Sequence, residues 1–330
     1  MGIITKIGHK LDKIYKQKIV CEQYPMLSSL SRNKLQAEGA IGMVYMLHHI
    51  ANKDPRLIPT NEDLKVSPKF LEEIIGKYRA KGFDFLSLDQ LYDILISGDT
   101  PNRPFVIFTI DDGYLDNYTH AFPVFEQFKI PFAIFISTDF IDKKAILWWD
   151  SIEELIMTHD SVVTADNRRY PCKTFQQRWD AFRFLRERIL NLDQNNLLTE
   201  LNMMFGNYRI DWLEPIRQKG MSWSQVIELA NHPLCTIGGH TISHPSLKQL
   251  CSDEARHEIV EGKRMLERAI RQPVNYFAYP YGTPNEVGER EFQIINDLKI
   301  KLAFCAHGGC ITKKEEIQLS RLPRVYLHEK

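Results

Sequence analysis

From about residue 40 onward, short apolar runs alternate with longer amphipathic stretches. The apolar runs predict strands over 41–47, 105–110, 132–137, 234–237, 276–279, 302–306 and 325–327. The stretches between them repeat their apolar positions at helical spacing, and predict helices over 68–81, 117–128 and 252–271. Regular strand–helix alternation implies an α/β protein with a parallel sheet, and about seven such strands over this length imply a barrel. Pro131, Pro273 and Pro323 each stand at or just before a predicted strand, where a missing N–H costs little.

Two regions break the rhythm. Residues 151–225 are rich in charge and helix formers, with patterns over 175–190 and 195–205, and read as a helical insertion in one connecting loop. Residues 1–39 form a lead-in whose first twenty positions place Ile3, Ile7, Leu11 and Ile14 at helical spacing. Lys6, Lys10, Lys13, Lys16 and Lys18 face only Asp12 there. This basic amphipathic helix is expected to pack on the body of residues 40–330, with peripheral contact to anionic lipid as the alternative.

Composition narrows the class. Lys+Arg and Asp+Glu both total 42, so the formal charge is zero and no global pull toward nucleic acid is expected. No apolar run approaches the ~20 residues of a membrane-spanning helix. The first twenty residues also lack the apolar block of a secretory signal, and the expectation is a cytoplasmic protein. Six scattered cysteines without a C-x-x-C pair read as thiols in a reducing compartment.

Candidate chemistry gathers at strand ends. Thr109-Ile110-Asp111-Asp112-Gly113 ends the second strand. Adjacent carboxylates beside apolar packing either hold a cation and divide the roles of base and ligand, or form a turn with an Asp capping the next helix. His240-Thr241-Ile242-Ser243-His244-Pro245 follows Gly238-Gly239, and imidazoles at i and i+4 on a helical turn project to one side, as metal ligands do. Two His and one carboxylate leave positions open for water and substrate, which is the pattern of a catalytic metal site. Phe277-Ala278-Tyr279-Pro280-Tyr281-Gly282 ends another strand, and is either a plain turn or an aromatic wall for a sugar. With His48, all these groups follow the carboxyl ends of predicted strands, the rim where parallel barrels build active sites.

These segments resemble the polysaccharide deacetylase family: T-[FI]-D-D-G at 109–113, H-[ST]-x-x-H-P at 240–245 and F-A-Y-P-Y-G at 277–282. The likeness covers roughly residues 40–327. It extends to the branch found in surface-polysaccharide biosynthesis through Tyr45-Met46-Leu47-His48, Trp148-Trp149-Asp150 and the ending Arg321-Leu322-Pro323-Arg324. The resemblance implies a distorted (β/α) barrel that hydrolyses N-acetyl groups from amino sugars in a glycan or lipid-linked precursor. The cofactor it implies is a divalent ion, zinc foremost. It makes Asp112, His240 and His244 the metal ligands, Asp111 the base and His48 the proton donor, with His49 and His328 as other candidates for the donor. Tyr279, Pro280 and Tyr281 would then line the sugar site. Many family members carry an orienting Arg in the third motif; here Ala278-Tyr279 stand there, so Arg321 or Arg324 is expected to orient Asp111. Asp150 either lines the site or caps the helix that follows. The alternatives are removal of another acyl group, formyl or O-acetyl, and a non-catalytic carbohydrate-binding barrel.

Overall fold

The computed structural model describes residues 39–312 and 318–329. The basic helix expected over 1–20, and its lipid contact, lie outside the described residues. Seven strands run parallel: β1 (Ala40–Leu47), β2 (Phe105–Asp112), β3 (Phe132–Ile136), β4 (Cys235–Gly239), β5 (Tyr276–Ala278), β6 (Leu302–Phe304) and β7 (Val325–Tyr326). Their spatial order is β6-β5-β4-β3-β2-β1-β7. Leu322, just ahead of β7, bridges Phe304 of β6 in parallel, while β7 itself pairs with β1. The closing segment therefore ties the two ends of the curled sheet together, and the fold is the expected distorted (β/α) barrel. Two further strands of this sheet went unread in the sequence, Asp84–Phe85 beside β2 and Ile311–Thr312 antiparallel to β1, as did the small parallel pair of His49–Ile50 and Lys65–Val66. Two residues are too few to carry a period.

Strand alternation sorts the two faces. Phe105 and Ile107 of β2, Ala133 and Phe135 of β3, and Ala278 and Phe304 cluster inside the barrel. Val106, Phe108 and Ile110, with Ile134 and Ile136, pack outward under the helices. Helix α1 (Pro68–Ala80) starts where Ser67 accepts the Phe70 N–H and Pro68 takes the first turn, and it buries Leu71, Ile74, Ile75 and Tyr78 on one stripe. Helix α2 (Leu88–Ser97) begins with a Ser87–Gln90 capping box, and its Leu88 and Leu91 join Phe105 and Tyr276, the first residues of their strands, at the barrel floor. The helix expected over 117–128 divides into a π-helical turn, Asn117–Ala121, and α3 (Phe122–Phe128).

The insertion has its own core. Helices α4 (Trp148–Thr158), α5 (Phe175–Leu190) and α6 (Leu197–Met204) enclose Ile152, Ile156, Phe182, Leu185 and Phe205, with Trp212 closing the cluster. It is not purely helical, as the sequence led us to expect. Ser161–Val163 and Arg169–Pro171 form an antiparallel hairpin around Asn167 at φ 61°. Next come α7 (Trp223–Ala230) and, after β4, α8 (Ser252–Ile270); Val226 and Leu229 of α7 and Leu266 of α8 return to the main core. Among the described residues, no helix is long and apolar enough to cross a membrane.

Candidate active site

The sheet register decides which loops meet. Asp111 and Asp112, the last residues of β2, lie opposite Phe135 and Ile136 of β3, and Ile136 lies opposite Gly239 of β4. His240 follows at once, and its N–H donates to the Ile136 carbonyl at 3.0 Å. Asp112 and His240 are thus brought to one height on the rim by two strand pairings.

The second histidine arrives differently from the sequence expectation. Residues 240–246 contain no helical turn. The chain bends through left-handed conformations instead, φ 69° at Thr241 and 61° at His244, and Asp112 (80°) and Tyr281 (57°) share that region. Non-glycine residues, a β-branched Thr above all, adopt it at a cost of order 1–3 kcal/mol each and keep it only where the surroundings impose it. The glycines before the loop serve packing: a Cβ on Gly238 would stand 2.3 Å from the Phe135 ring.

The outcome is a convergence of donor atoms. Nε2 of His240 and Nε2 of His244 each lie 3.3 Å from Oδ1 of Asp112, and the ligating atoms of the three residues all fall within 4.8 Å of one another. Nδ1 of His240 donates to the Ala278 carbonyl at 2.7 Å, so its proton sits there and the Nε2 lone pair faces Asp112. Oδ1 of Asp112 is buried without a hydrogen-bond partner. Burial pushes the Asp112 carboxyl up, but the His244 and His240 imidazoles outweigh it and hold the group well below the usual carboxylate range. Burial pushes His244 down to about 4. Anionic oxygen and neutral ring nitrogens at these separations fit ligands that each stand about 2.0–2.2 Å from one shared divalent ion.

Asp111 lies on the inner face, with Phe105, Ile107 and Thr109, and is 2% exposed. Arg324, on the segment that closes the barrel, reaches in and donates to both of its oxygens at 2.7 Å, and to Thr109 Oγ1 at 3.1 Å. Burial pushes Asp111 up, and the Arg324 guanidinium outweighs it and holds the carboxyl below its ordinary range. Arg321 pairs with Glu289 instead, so of the two arginines Arg324 is the one beside Asp111.

His48 follows β1 and lies within electrostatic range of Asp112 and Asp111; burial lowers its pKa, and its Nδ1 has no partner. His49 turns away to Asp116 (2.7 Å) and packs its ring on Tyr114. His328 has Asp63 and Lys53 as its charged neighbours and packs tilted against Tyr326, whose ring stacks on His48. In the Tyr279-Pro280-Tyr281 segment, Tyr279 is buried in a core cluster with its hydroxyl donated to the Ser320 carbonyl, and Pro280 is buried too. Tyr281 alone of the three meets the site, packed edge-on to His244 with ring centroids 4.7 Å apart. Asp150 lies inside the first turn of α4, paired with Lys219 at 2.9 Å, and is not the helix cap.

Sequence reasoning missed Tyr114, whose hydroxyl accepts from Trp149 Nε1, and the cover over His244. A cavity of ≈ 290 Å³ opens beside His244, lined by Trp148, Trp149 and Tyr281 on one side and by Asn195, Asn196 and Thr199 of the insertion on the other. No spacing rule ties residues 194–199 to the motifs; only the packing of the insertion's own core brings them over the rim.

The family model described as polysaccharide deacetylase matches residues 98–303. "Putative polysaccharide deacetylase YxkH" of Bacillus subtilis (strain 168) is 28% identical over 229 residues, 69% of this chain and 55% of that protein. The chain therefore spans about half the length of that relative. Among solved structures, the Streptococcus pyogenes deacetylase PplD in complex with acetate superposes with TM-score 0.53 at 19% identity, covering 87% of this chain and 92% of that one. IcaB from Ammonifex degensii gives TM-score 0.56 at 18% identity, with 88% and 92% covered. At such identities these two likenesses speak for the fold.

Proposed function

The chain belongs to the polysaccharide deacetylase family, and on that premise we propose that it is a metal-dependent hydrolase removing the N-acetyl group from an amino sugar in a glycan or lipid-linked precursor. One observation carries the reading. Three potential ligand atoms converge at Asp112, His240 and His244 within 4.8 Å of one another, next to a second carboxylate held ionised by Arg324. Carbohydrate binding alone calls for neither.

Asp112, His240 and His244 would hold a divalent ion, for which zinc is the foremost candidate, and such an ion would supply Lewis acidity to the acetamide carbonyl and the attacking water. The chain's own residues divide the rest. Asp111 accepts the proton of the water as it attacks the carbonyl carbon, because its carboxyl stays ionised at neutral pH and Arg324 fixes both oxygens. The departing nitrogen needs a proton, since expulsion of an amide anion is prohibitive; we assign its delivery to His48, an electrostatic neighbour of Asp111, which would pass on the proton that Asp111 has taken from the water. Tyr281 and Trp149, edge-on to His244, offer apolar faces to the sugar ring. The products are acetate and a free amine.

The test is the metal content of the purified protein beside Asp112→Asn and His240→Ala, followed by acetate release from acetylated amino sugars. About one divalent ion per chain, lost in both variants, is the expected result. An absence of binding after reconstitution, or binding indifferent to both substitutions, refutes the mechanism and leaves a carbohydrate-binding barrel.

A further inference from the structure

The strained loop that carries both histidines is clamped from behind by α8. Oε2 of Glu258 accepts the N–H groups of Ile242 (2.9 Å) and Ser243 (3.0 Å), and its Oε1 accepts the Ser243 hydroxyl at 2.8 Å. One carboxylate thus takes three donors from the two residues between Thr241 and His244, the loop's left-handed positions. One helical turn further on, at i+4, Gly262 lets the helix backbone approach: a Cβ there would stand 2.7 Å from the Thr241 carbonyl carbon and 2.8 Å from its oxygen. Loop and helix are in direct contact, and the sequence supplies the smallest residue at the point of contact.

The loop's carbonyls are held by main-chain bonds, Thr138 N–H to Thr241 O at 3.3 Å and Asp139 N–H to Ile242 O at 2.9 Å. Those contacts fix where the loop sits. Glu258 differs in being the acceptor for two successive N–H groups, which is what a chain reversing its direction through left-handed residues has to satisfy. Without it, Ile242 and Ser243 regain ordinary backbone freedom and His244 leaves the arrangement that puts its Nε2 opposite Asp112.

Resting on the deacetylase reading above, we propose that Glu258 is a positioning residue for the metal centre: it holds the 241–244 reversal and so keeps His244 in ligating geometry. It is not one of the three ligands, although it also lines the cavity beside His244. Its effect passes through the loop, in the manner of outer partners whose loss costs about 10–100-fold in metal affinity.

The experiment compares the full chain with Glu258→Ala and Glu258→Gln by three readouts. The first is zinc affinity by competition with a chromophoric chelator. The second is amide hydrogen exchange over residues 240–246 in the metal-free protein. The third is the thermal midpoint. Glu258→Ala is expected to weaken zinc binding about 10–100-fold and to speed exchange in that segment, with exchange in the strands of the barrel unchanged. Glu258→Gln keeps an oxygen acceptor for both N–H groups, so it is expected to restore most of the affinity and the protection. Unaltered zinc affinity in Glu258→Ala, or unaltered exchange at 240–246, overturns the proposal while the metal site stands. Failure of the native chain to bind zinc overturns the reading of the site itself, and this proposal with it. Gly262→Ala is the second variant: it presses on Thr241 while leaving the carboxylate intact, and is expected to lower zinc affinity in the same direction; native affinity there refutes the clamp.

Discussion

Replacing Arg324 by Met tests the buried pair at the centre of the proposed mechanism. Arg324 is 1% exposed and Asp111 2%, and two 2.7 Å bonds join them. Met preserves most of the aliphatic volume, so the main loss is the charge and the hydrogen bonds. Breaking a buried pair from one side leaves an uncompensated ion, a destabilisation of about 3–5 kcal/mol. The sign of the pH dependence follows from Asp111, whose folded-state pKa lies below its unfolded value of about 3.9. The pair's contribution is therefore fully present above that value and is lost as pH falls through the lower, folded-state pKa. Urea melts at pH 7 should show the full deficit in Arg324→Met, and melts at pH values well below about 3.9 a progressively smaller one. The double variant Asp111→Asn/Arg324→Met should recover much of the stability, because neither member of the pair leaves an unpaired charge behind. In activity, burial without the guanidinium raises the Asp111 pKa, so the acidic limb of the kcat/KM profile should move to higher pH. A loss below about 1 kcal/mol at pH 7, with an unmoved acidic limb, would refute the reasoning for both partners.

Gly238→Ala drives a methyl into Phe135, which is itself packed under the Arg324 guanidinium at 5.4 Å. It should cost about 1–3 kcal/mol by overpacking and lower the turnover number more than it changes KM; native stability on denaturant melting would count against the packing argument. Asp139, on the wall of the cavity, is raised to about 6 by burial and by the neighbouring Glu258. An acid raised in the folded state opposes folding once it ionises, so Asp139→Asn should raise the thermal midpoint at pH 7 and leave it unchanged below about pH 4. A stabilisation that persists to low pH would point to a cause other than this carboxyl.

Much of this protein was legible in its residues. Seven apolar runs of strand length, four of them followed by His48, Asp111-Asp112, His240 or Tyr281, imply the barrel and its working rim, because side-chain period and strand polarity are local properties. Asp111, Asp112 and His240 could be singled out by their place after a predicted strand, and His244 by its i, i+4 spacing from His240. The hairpin over 161–171 escaped: its strands are three residues long, too short to show a period, and lie between helix-rich segments. The role of Tyr279 escaped as well, since strand alternation alone does not say which aromatic of a turn faces the rim and which faces the core.

Tertiary structure decided the remainder, wherever two distant segments had to meet. The sequence alone left Arg321 and Arg324 equivalent; the closing segment between β6 and β1 sends Arg324 to Asp111 and Arg321 to Glu289. The spacing of the two histidines looks helical, yet they converge through left-handed turns that Glu258 and Gly262 hold in place from another helix. Local sequence encodes period and polarity, which are short-range preferences. A strained backbone conformation, a buried ion pair and a cavity between an insertion and a rim exist only once long-range packing has supplied the opposing surface.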